Sequence, residues 1–407
     1  MERTFKNDEI MVATDMFSAD HYARHPLVLD DGYDCWLVNI ETGKKYLDML
    51  AGYSAVIFGR RGNYYNRLLK ALVCQARNLT LVSGGYYTEP YMRFCHKLCQ
   101  LTSMRKVLAM NTGAEAVETA MKIAKRYAYL KKGVPDGKAK IISCTNNFHG
   151  RTQGVLSLST NDSHRKHFGP FLPGCKSVPF GDWEALLYAI NEKTTAAFIV
   201  EPIQGEGGIN IPPNDYLQKA KEICAENNVL LILDEVQTGF GRTGTMFAHQ
   251  TYEVKPDLLV LGKALGGGIL PISAVLGNDE VMDVLNPGSH GSTFGGNPLA
   301  CAVACEVMDI LKEDTGFVYR AREVGEYFLG ELKKIKNNAI KEVRGRGLLI
   351  GIELNESDEF CQYICESLLY KGIVCAVTHG NVLRFSPPLI ITKEQIDCAL
   401  MIIKKVL

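Results

Sequence analysis

Leu258-Leu259-Val260-Leu261-Gly262-Lys263-Ala264-Leu265-Gly266-Gly267-Gly268 is a short apolar run that meets a single lysine and then three glycines. The run has the length of a buried strand, and the glycines mark a tight turn at its end. A lysine in that place has two readings. It can reach solvent beside the turn. Alternatively its amine can be held inside, where desolvation keeps it neutral and nucleophilic and suits it to an imine with an aldehyde cofactor.

Working outward, the same strand-then-turn design recurs. Residues 229–234 (ending in Asp234) are apolar on both faces, as a buried parallel strand requires. Strands are also predicted at 107–110, 140–143, 196–201 and 272–276, separated by helical patterns such as 216–226. In sheets of this kind ligands sit beyond the carboxyl ends of the strands. Asn111, Phe148, Glu206, Asp234 and Lys263 all fall just past strand ends, which makes one shared site there. Asn111-Thr112-Gly113 opens a long helix with Val117, Ala120, Met121, Ala124 and Tyr127 at the helical period. Its small first-turn residues leave amides free for an anion. Neither a GxGxxG nor a P-loop pattern accompanies it, which argues against dinucleotide and ATP sites.

Composition bounds the rest. At 407 residues the chain exceeds one core, so two domains are expected. Lys plus Arg and Asp plus Glu are 45 each, so no global charge draws the chain to nucleic acid or an anionic membrane. No apolar run reaches membrane-spanning length, and the acidic N-terminal residues resemble neither a signal peptide nor a transit peptide, so a cytoplasmic location is expected. The 13 cysteines are odd in number. Cys95/Cys99, Cys301/Cys305 and Cys361/Cys365 recur at helical spacing, which reads as reduced core residues with no metal site.

Flanking pieces complete the plan. Residues 1–30 read as polar and irregular, and 36–50 as a hairpin. Helices are expected at 65–77, 89–102, 298–313, 320–336, 358–370 and 393–406, with strands at 348–354 and 382–385. The predicted divisions are an N-terminal segment over 1–48 that packs with the small domain, a large domain over 49–296 and a smaller α+β domain over 297–407.

Asp234 closes an otherwise apolar strand, so its carboxylate needs a cation or donors, or it caps the following turn. A protonated pyridine nitrogen is one such cation. With that residue in view, six motifs can be read together: Asn111-Thr112-Gly113, Asn147-Phe148-His149-Gly150-Arg151-Thr152, Glu201-Pro202-Ile203-Gln204-Gly205-Glu206-Gly207-Gly208, Asp234-Glu235-Val236-Gln237-Thr238-Gly239, Gly262-Lys263 and Gly291-Ser292-Thr293-Phe294-Gly295-Gly296-Asn297-Pro298. In this order, over nearly the full length, they resemble the class III, fold-type-I pyridoxal-phosphate aminotransferases. The resemblance implies an α/β large domain with a mostly parallel seven-stranded sheet and a smaller α+β domain.

It also implies roles. Lys263 would bond the cofactor and move the proton. Asp234 would bind the pyridine nitrogen and Gln237 the phenolic oxygen, while Phe148 would stack on the ring. The amides of Gly113 and Ala114 would hold the phosphate. Thr293 would complete that site from a second subunit, making a homodimer the functional unit.

Within the family the chain looks most like ornithine aminotransferases, which Tyr53 as a pocket residue supports. Tyr22-Ala23-Arg24 and Phe148-His149-Gly150-Arg151 lean instead towards the acetylornithine branch. The resemblance and charge logic assign Arg384 to the carboxylate near the cofactor and Arg151 to the distal one, since guanidinium forks match carboxylates. Glu206 would mask Arg384 while ornithine reacts and release it for 2-oxoglutarate. A purely structural Glu206–Arg384 pair is the plain alternative. The rival activities are transfer from N-acetylornithine or another ω-amine such as 4-aminobutyrate, a 2,1-aminomutase, and a non-catalytic binding protein. Gly59-Arg60-Arg61-Gly62-Asn63 departs from the family pattern and could be solvated or could alter the rim of the site. His25, His149 and His290 have no evident acid-base partner in the sequence.

Overall fold

The computed structural model describes residues 5–191 and 193–407. The chain opens with the helix Asn7–Phe17, whose backbone start is capped by Glu9, where the sequence reads as irregular. None of its residues is buried, so it lacks the core-facing stripe by which a helix is recognised. The first four residues of the 1–48 segment lie outside the described residues. Then come β1 (Asp31–Tyr33), β2 (Trp36–Val38) and β3 (Lys45–Asp48), the last two forming the predicted hairpin.

The large sheet is built from β4 (Lys106–Met110), β5 (Lys140–Cys144), β6 (Cys175–Val178), β7 (Thr195–Val200), β8 (Leu230–Asp234), β9 (Leu258–Leu261) and β10 (Ser273–Gly277). Its order is β4-β10-β9-β8-β7-β5-β6, with β10 antiparallel to both neighbours and the run from β9 to β6 parallel. Every residue of β7, β8, β9 and β10 is buried, and alternate side chains feed two cores. Phe198, Leu231, Leu233 and Leu259 pack with the helices Tyr216–Glu226 and Pro298–Glu313. Ala197, Ile199, Ile232 and Val260 pack with the helix Gly113–Leu130. Double-sided burial explains the near-continuous apolar strands.

Past residue 297 the chain forms β11 (Ile340–Arg346), β12 (Leu349–Leu354), β13 (Ile373–Val374), β14 (Ala376–Thr378) and β15 (Val382–Phe385). β11, β12, β15 and β14 make an antiparallel sheet in that order. β13 instead runs parallel to β3, so the N-terminal hairpin and the C-terminal region share a sheet. The helix predicted at 320–336 spans Phe317–Lys333. Between β3 and the large sheet, Ala51, Gly52, Tyr53 and Ser54 have φ of 50, 55, 57 and 74°, a left-handed helical turn closed by the Ser54 amide on the Leu50 carbonyl at 3.1 Å. Each non-glycine residue in that conformation costs about 1–2 kcal/mol, so the surroundings must impose it.

Candidate active site

Parallel strands deliver their carboxyl ends to one edge, where two adjoining cavities open. The smaller, about 170 Å³, is lined by Gly113, Ala114, Phe148, His149, Asp234, Gln237 and Lys263 among others. The larger, about 610 Å³, shares Phe148 and Lys263 with it and adds Tyr22, Tyr53, Arg151, His164 and Glu206. The sequence-predicted residues thus converge, except that Asn111 lines neither cavity and that Arg384 and Thr293 need qualification. Arg384 touches the site through Glu206 and Tyr53. Thr293 lines neither cavity. It sits on the exposed loop beside Ser292, which accepts hydrogen bonds from Asn111 at 3.2 Å and from the Gly295 amide at 2.9 Å.

Lys263 follows β9 by two residues, with φ of 43°, at the start of a short 3₁₀ turn. The predicted strand therefore ends at Leu261, and the glycine turn re-aims the lysine into the cavities. Burial pushes its amine down to about 8; Glu206 opposes that shift and Arg384 adds to it. A neutral amine is therefore accessible near physiological pH.

Asp234 closes β8 in the interior. Its Oδ1 accepts from the Val236 amide at 3.0 Å, and its Oδ2 accepts from His149 Nδ1 at 2.7 Å. His149 therefore has a partner, contrary to the sequence reading. Burial alone would lower its imidazole, but the hydrogen bond and charge of Asp234 more than offset this and raise it. Its Nε2 and the Nε2 of Gln237 are buried without a partner among the described residues. Glu201 accepts from the amides of Phe148 at 3.0 Å and Gly205 at 3.3 Å and so orients the backbone there. Burial, with Asp234 adding to it and His149 opposing, raises this carboxyl to about 7.

The helix Gly113–Leu130 is started by a reciprocal cap between Thr112 and Glu115, which leaves the first amides without an intrahelical acceptor at the cavity wall. Gly150 faces that mouth at φ of 125°, where a Cβ would lie 2.6 Å from the Ala114 Cβ. Gly205 likewise leaves room for Gln237, since a Cβ there would meet the carboxamide oxygen at 1.5 Å.

Glu206 rides a loop pinned by the paired backbones of Gln204 and Asn210 and by Arg344, which donates to the Gly208 carbonyl at 2.6 Å. Its carboxylate takes a hydrogen bond from Arg384 Nη1, while Thr378 donates to its backbone carbonyl at 2.6 Å. Burial would raise the carboxyl, but Arg384 and then Lys263 outweigh it and hold Glu206 below the usual range. The Arg384 guanidinium lies 5.1 Å from the centre of the Tyr53 ring. Arg151 lines the same cavity, 5.6 Å from the centre of the Phe148 ring.

Arg60 does not reach the rim. It pairs with Asp48 at 2.9 Å, and Asp48 in turn accepts from the Ala51 amide at 2.7 Å, so Arg60 braces the left-handed turn that carries Tyr53. Arg61 pairs with Asp31 on the surface. Tyr22 lines the larger cavity, whereas Arg24 turns away to Ser18 and Asp15.

This constellation has known counterparts. Residues 17–407 match the family described as aminotransferase class-III. The chain belongs to the class-III aminotransferases. "Ornithine aminotransferase 2" of Staphylococcus saprophyticus is 50% identical over 395 residues, covering 97% of this chain and 98% of the relative. Among solved structures, the ornithine aminotransferase of Toxoplasma gondii ME49 superposes with a TM-score of 0.95 at 42% identity, covering 99% of this chain and 95% of that one. The acetylornithine aminotransferase of Elizabethkingia anophelis gives 0.90 at 42% identity, with 99% of both chains covered. The mostly parallel seven-stranded sheet with its smaller α+β companion is the fold-type-I architecture.

As a class-III aminotransferase the chain is a pyridoxal-phosphate-dependent enzyme. Its residues fit that group. The smaller cavity has a helix mouth for an anion, a buried carboxylate for a ring cation, an orphaned Gln237 amide and a lysine of lowered basicity.

Proposed function

We propose that the enzyme transfers the δ-amino group of L-ornithine to 2-oxoglutarate in two half-reactions, giving L-glutamate 5-semialdehyde and L-glutamate. The observation that carries this reading is the Glu206–Arg384 pair beside Lys263. A carboxylate binder next to the reacting centre would attract the α-carboxylate of any amino acid. With its own glutamate on it, the site instead takes a distal amine, and Arg151 receives the carboxylate. When Glu206 moves off, Arg384 is free for the oxo-acid. The names of the relatives support the same substrate.

Pyridoxal phosphate, when bound, supplies an electrophilic carbon and an electron-withdrawing ring. In this reading Lys263 Nζ would hold the cofactor and would carry the proton from and to the substrate carbon. Asp234, oriented by His149 and the Val236 amide, would bind the ring nitrogen. Gln237 would donate to the ring oxygen, the Gly113 and Ala114 amides would hold the phosphate, and Phe148 would cover the ring. Tyr53 closes the pocket over Arg384. Thr293 completes the phosphate site of a second copy, which makes the working unit a homodimer, placed in the cytoplasm. Among the described residues no helix is long and apolar enough to cross a membrane.

N-acetylornithine is the second reading. The one carboxylate among the residues lining the larger cavity is Glu206, already engaged by Arg384, so a free α-amine would meet only neutral acceptors. Mixing the holoenzyme separately with L-ornithine, N-acetylornithine and 4-aminobutyrate, and following conversion to the amine form of the cofactor, tests both. Fastest conversion with ornithine, with a product that cyclises to pyrroline-5-carboxylate, is expected. Preference for N-acetylornithine would replace the first reading with the second.

A further inference from the structure

We propose that His164 is a positioning residue that holds Arg151 in place for the distal carboxylate of the substrate and so helps set substrate affinity. This rests on the reading of Arg151 given above.

Arg151 Nη2 lies 2.9 Å from His164 Nε2. A guanidinium only donates, so His164 Nε2 must accept, and the imidazole must be neutral with its proton on Nδ1. The two side chains also share Phe148. The guanidinium lies 5.6 Å from the ring centre, and the His164 ring meets Phe148 edge-on at 6.2 Å and 86°. All three line the larger cavity. Arg151 is therefore held from two sides, by a π face and by a nitrogen lone pair. Long arginine side chains lose much rotamer freedom on binding a ligand, and a prior hold of this kind removes part of that cost.

The support is itself fixed. His164 lies on the short helical turn Asp162–Arg165, where the Asn161 carboxamide accepts from the Ser163 amide at 3.0 Å and Arg165 donates to the Ser159 carbonyl. Beyond it, Gln153 Nε2 donates to the carbonyls of Phe168 at 2.6 Å and Pro170 at 3.0 Å.

Protonation would remove the acceptor and set two cations against each other. The charged and titratable groups sharing this cavity are Arg151, Glu206, Lys263, His21, Tyr22 and Tyr53. Burial and then Arg151 hold the His164 imidazole below its usual range, with Glu206 opposing. The contact is therefore intact at neutral pH and is lost as pH falls through that lowered value. The KM for an amine carrying a distal carboxylate rises in that acid range, while kcat changes little.

The test uses the holoenzyme and whichever of L-ornithine or N-acetylornithine it accepts, with 1,4-diaminobutane as a matched amine lacking the carboxylate. His164→Phe keeps the ring against Phe148 and removes the acceptor. It should raise KM for the amino acid about tenfold with kcat within about twofold, and leave KM or Ki for 1,4-diaminobutane unchanged. His164→Gln restores a neutral acceptor that does not titrate. It should return KM to within about twofold of the parent and abolish the acid rise. Arg151→Gln identifies which layer fails. If it raises KM while His164→Phe does not, the positioning role is wrong and the reading of Arg151 stands. If Arg151→Gln leaves KM unchanged, that reading falls and takes this inference with it. An equal loss of both amines in His164→Phe means a general packing role and overturns the proposal.

Discussion

His149 and Asp234 meet at 2.7 Å between Nδ1 and Oδ2, one residue following the β5 end and the other closing β8. The pair is buried, and the hydrogen bond and charge of Asp234 outweigh burial to raise the imidazole. Removing the imidazole leaves a buried carboxylate with the Val236 amide as its remaining donor among the described residues. His149→Phe should weaken cofactor retention and lower kcat by about tenfold or more, since an orphaned buried group costs about 1–3 kcal/mol. Cofactor release followed by absorbance during dialysis, compared with His149→Gln, checks it. Parental retention in the Phe variant would make the pair incidental.

On the proposed reading, Glu206→Ala exposes Arg384 to the α-carboxylate of ornithine. The expected outcome is a shift from δ- towards α-amino transfer, read as the ratio of pyrroline-5-carboxylate to the α-oxo product. Arg384 is 1% exposed and its Nε is already without a partner among the described residues, so a drop in stability should accompany the change. Glu206→Gln keeps a hydrogen-bond acceptor and should lose less stability while shifting the ratio in the same direction. An unchanged ratio in both variants would leave the pair as a structural one.

Lys263 titrates near 8 when folded, against 10.5 for a free lysine. Between those values the unfolded chain binds the extra proton, so the stability of the cofactor-free protein rises with pH across that window. Replacing the amine with an apolar side chain removes the penalty. Cofactor-free Lys263→Met should be more stable than the parent at pH 7 by at most about 3 kcal/mol, with the difference closing as pH approaches 10.5. Denaturant titrations at both pH values measure it. A constant gap would mean that the amine is not desolvated.

Ser54 has φ of 74° in the left-handed turn, and its hydroxyl is buried without a partner among the described residues. Glycine relieves both faults at the cost of a looser unfolded chain, for a net gain of about 1 kcal/mol. Ser54→Gly should raise the melting temperature and leave KM near parental, whereas Ser54→Val should lower both stability and activity through Tyr53. Thermal unfolding of the holoenzyme decides between a strained turn and one whose hydroxyl the fold needs.

The sequence was most readable where apolar periodicity and chemistry coincide. Leu258–Leu261 and Leu230–Asp234 announce themselves as doubly buried strands, and Lys263 and Asp234 stand out because charge at the end of such a strand needs a reason. The exposed helix Asn7–Phe17, the short strands β6, β13 and β14 and the largely unburied β11 carry little or no such pattern. Pairing was the harder part. The antiparallel sense of β10 lies in the course of the turn after Lys263, and His149 finds a partner 85 residues away only because β5 and β8 flank β7. Arg60 shows the same limit, since its partner Asp48 is close in sequence but only the strained turn explains the need for it.

The parallel pairing of β3 with β13 has a consequence for synthesis. The Met49 amide donates to the Val374 carbonyl at 2.8 Å and the Met49 carbonyl accepts from the Ser386 amide at 2.7 Å, so the strand leading into the Tyr53 turn is framed by residues made more than 300 positions later. Contacts of such sequence separation form late. While the chain is still on the ribosome, the large sheet can assemble in order, but the turn that carries Tyr53 has no frame. A nascent chain stopped before residue 373 would carry Lys263 and Asp234 and yet have neither Arg384 nor the frame for Tyr53. The Glu206–Arg384 pair and the framed Tyr53 turn are thus acquired only at the end of translation.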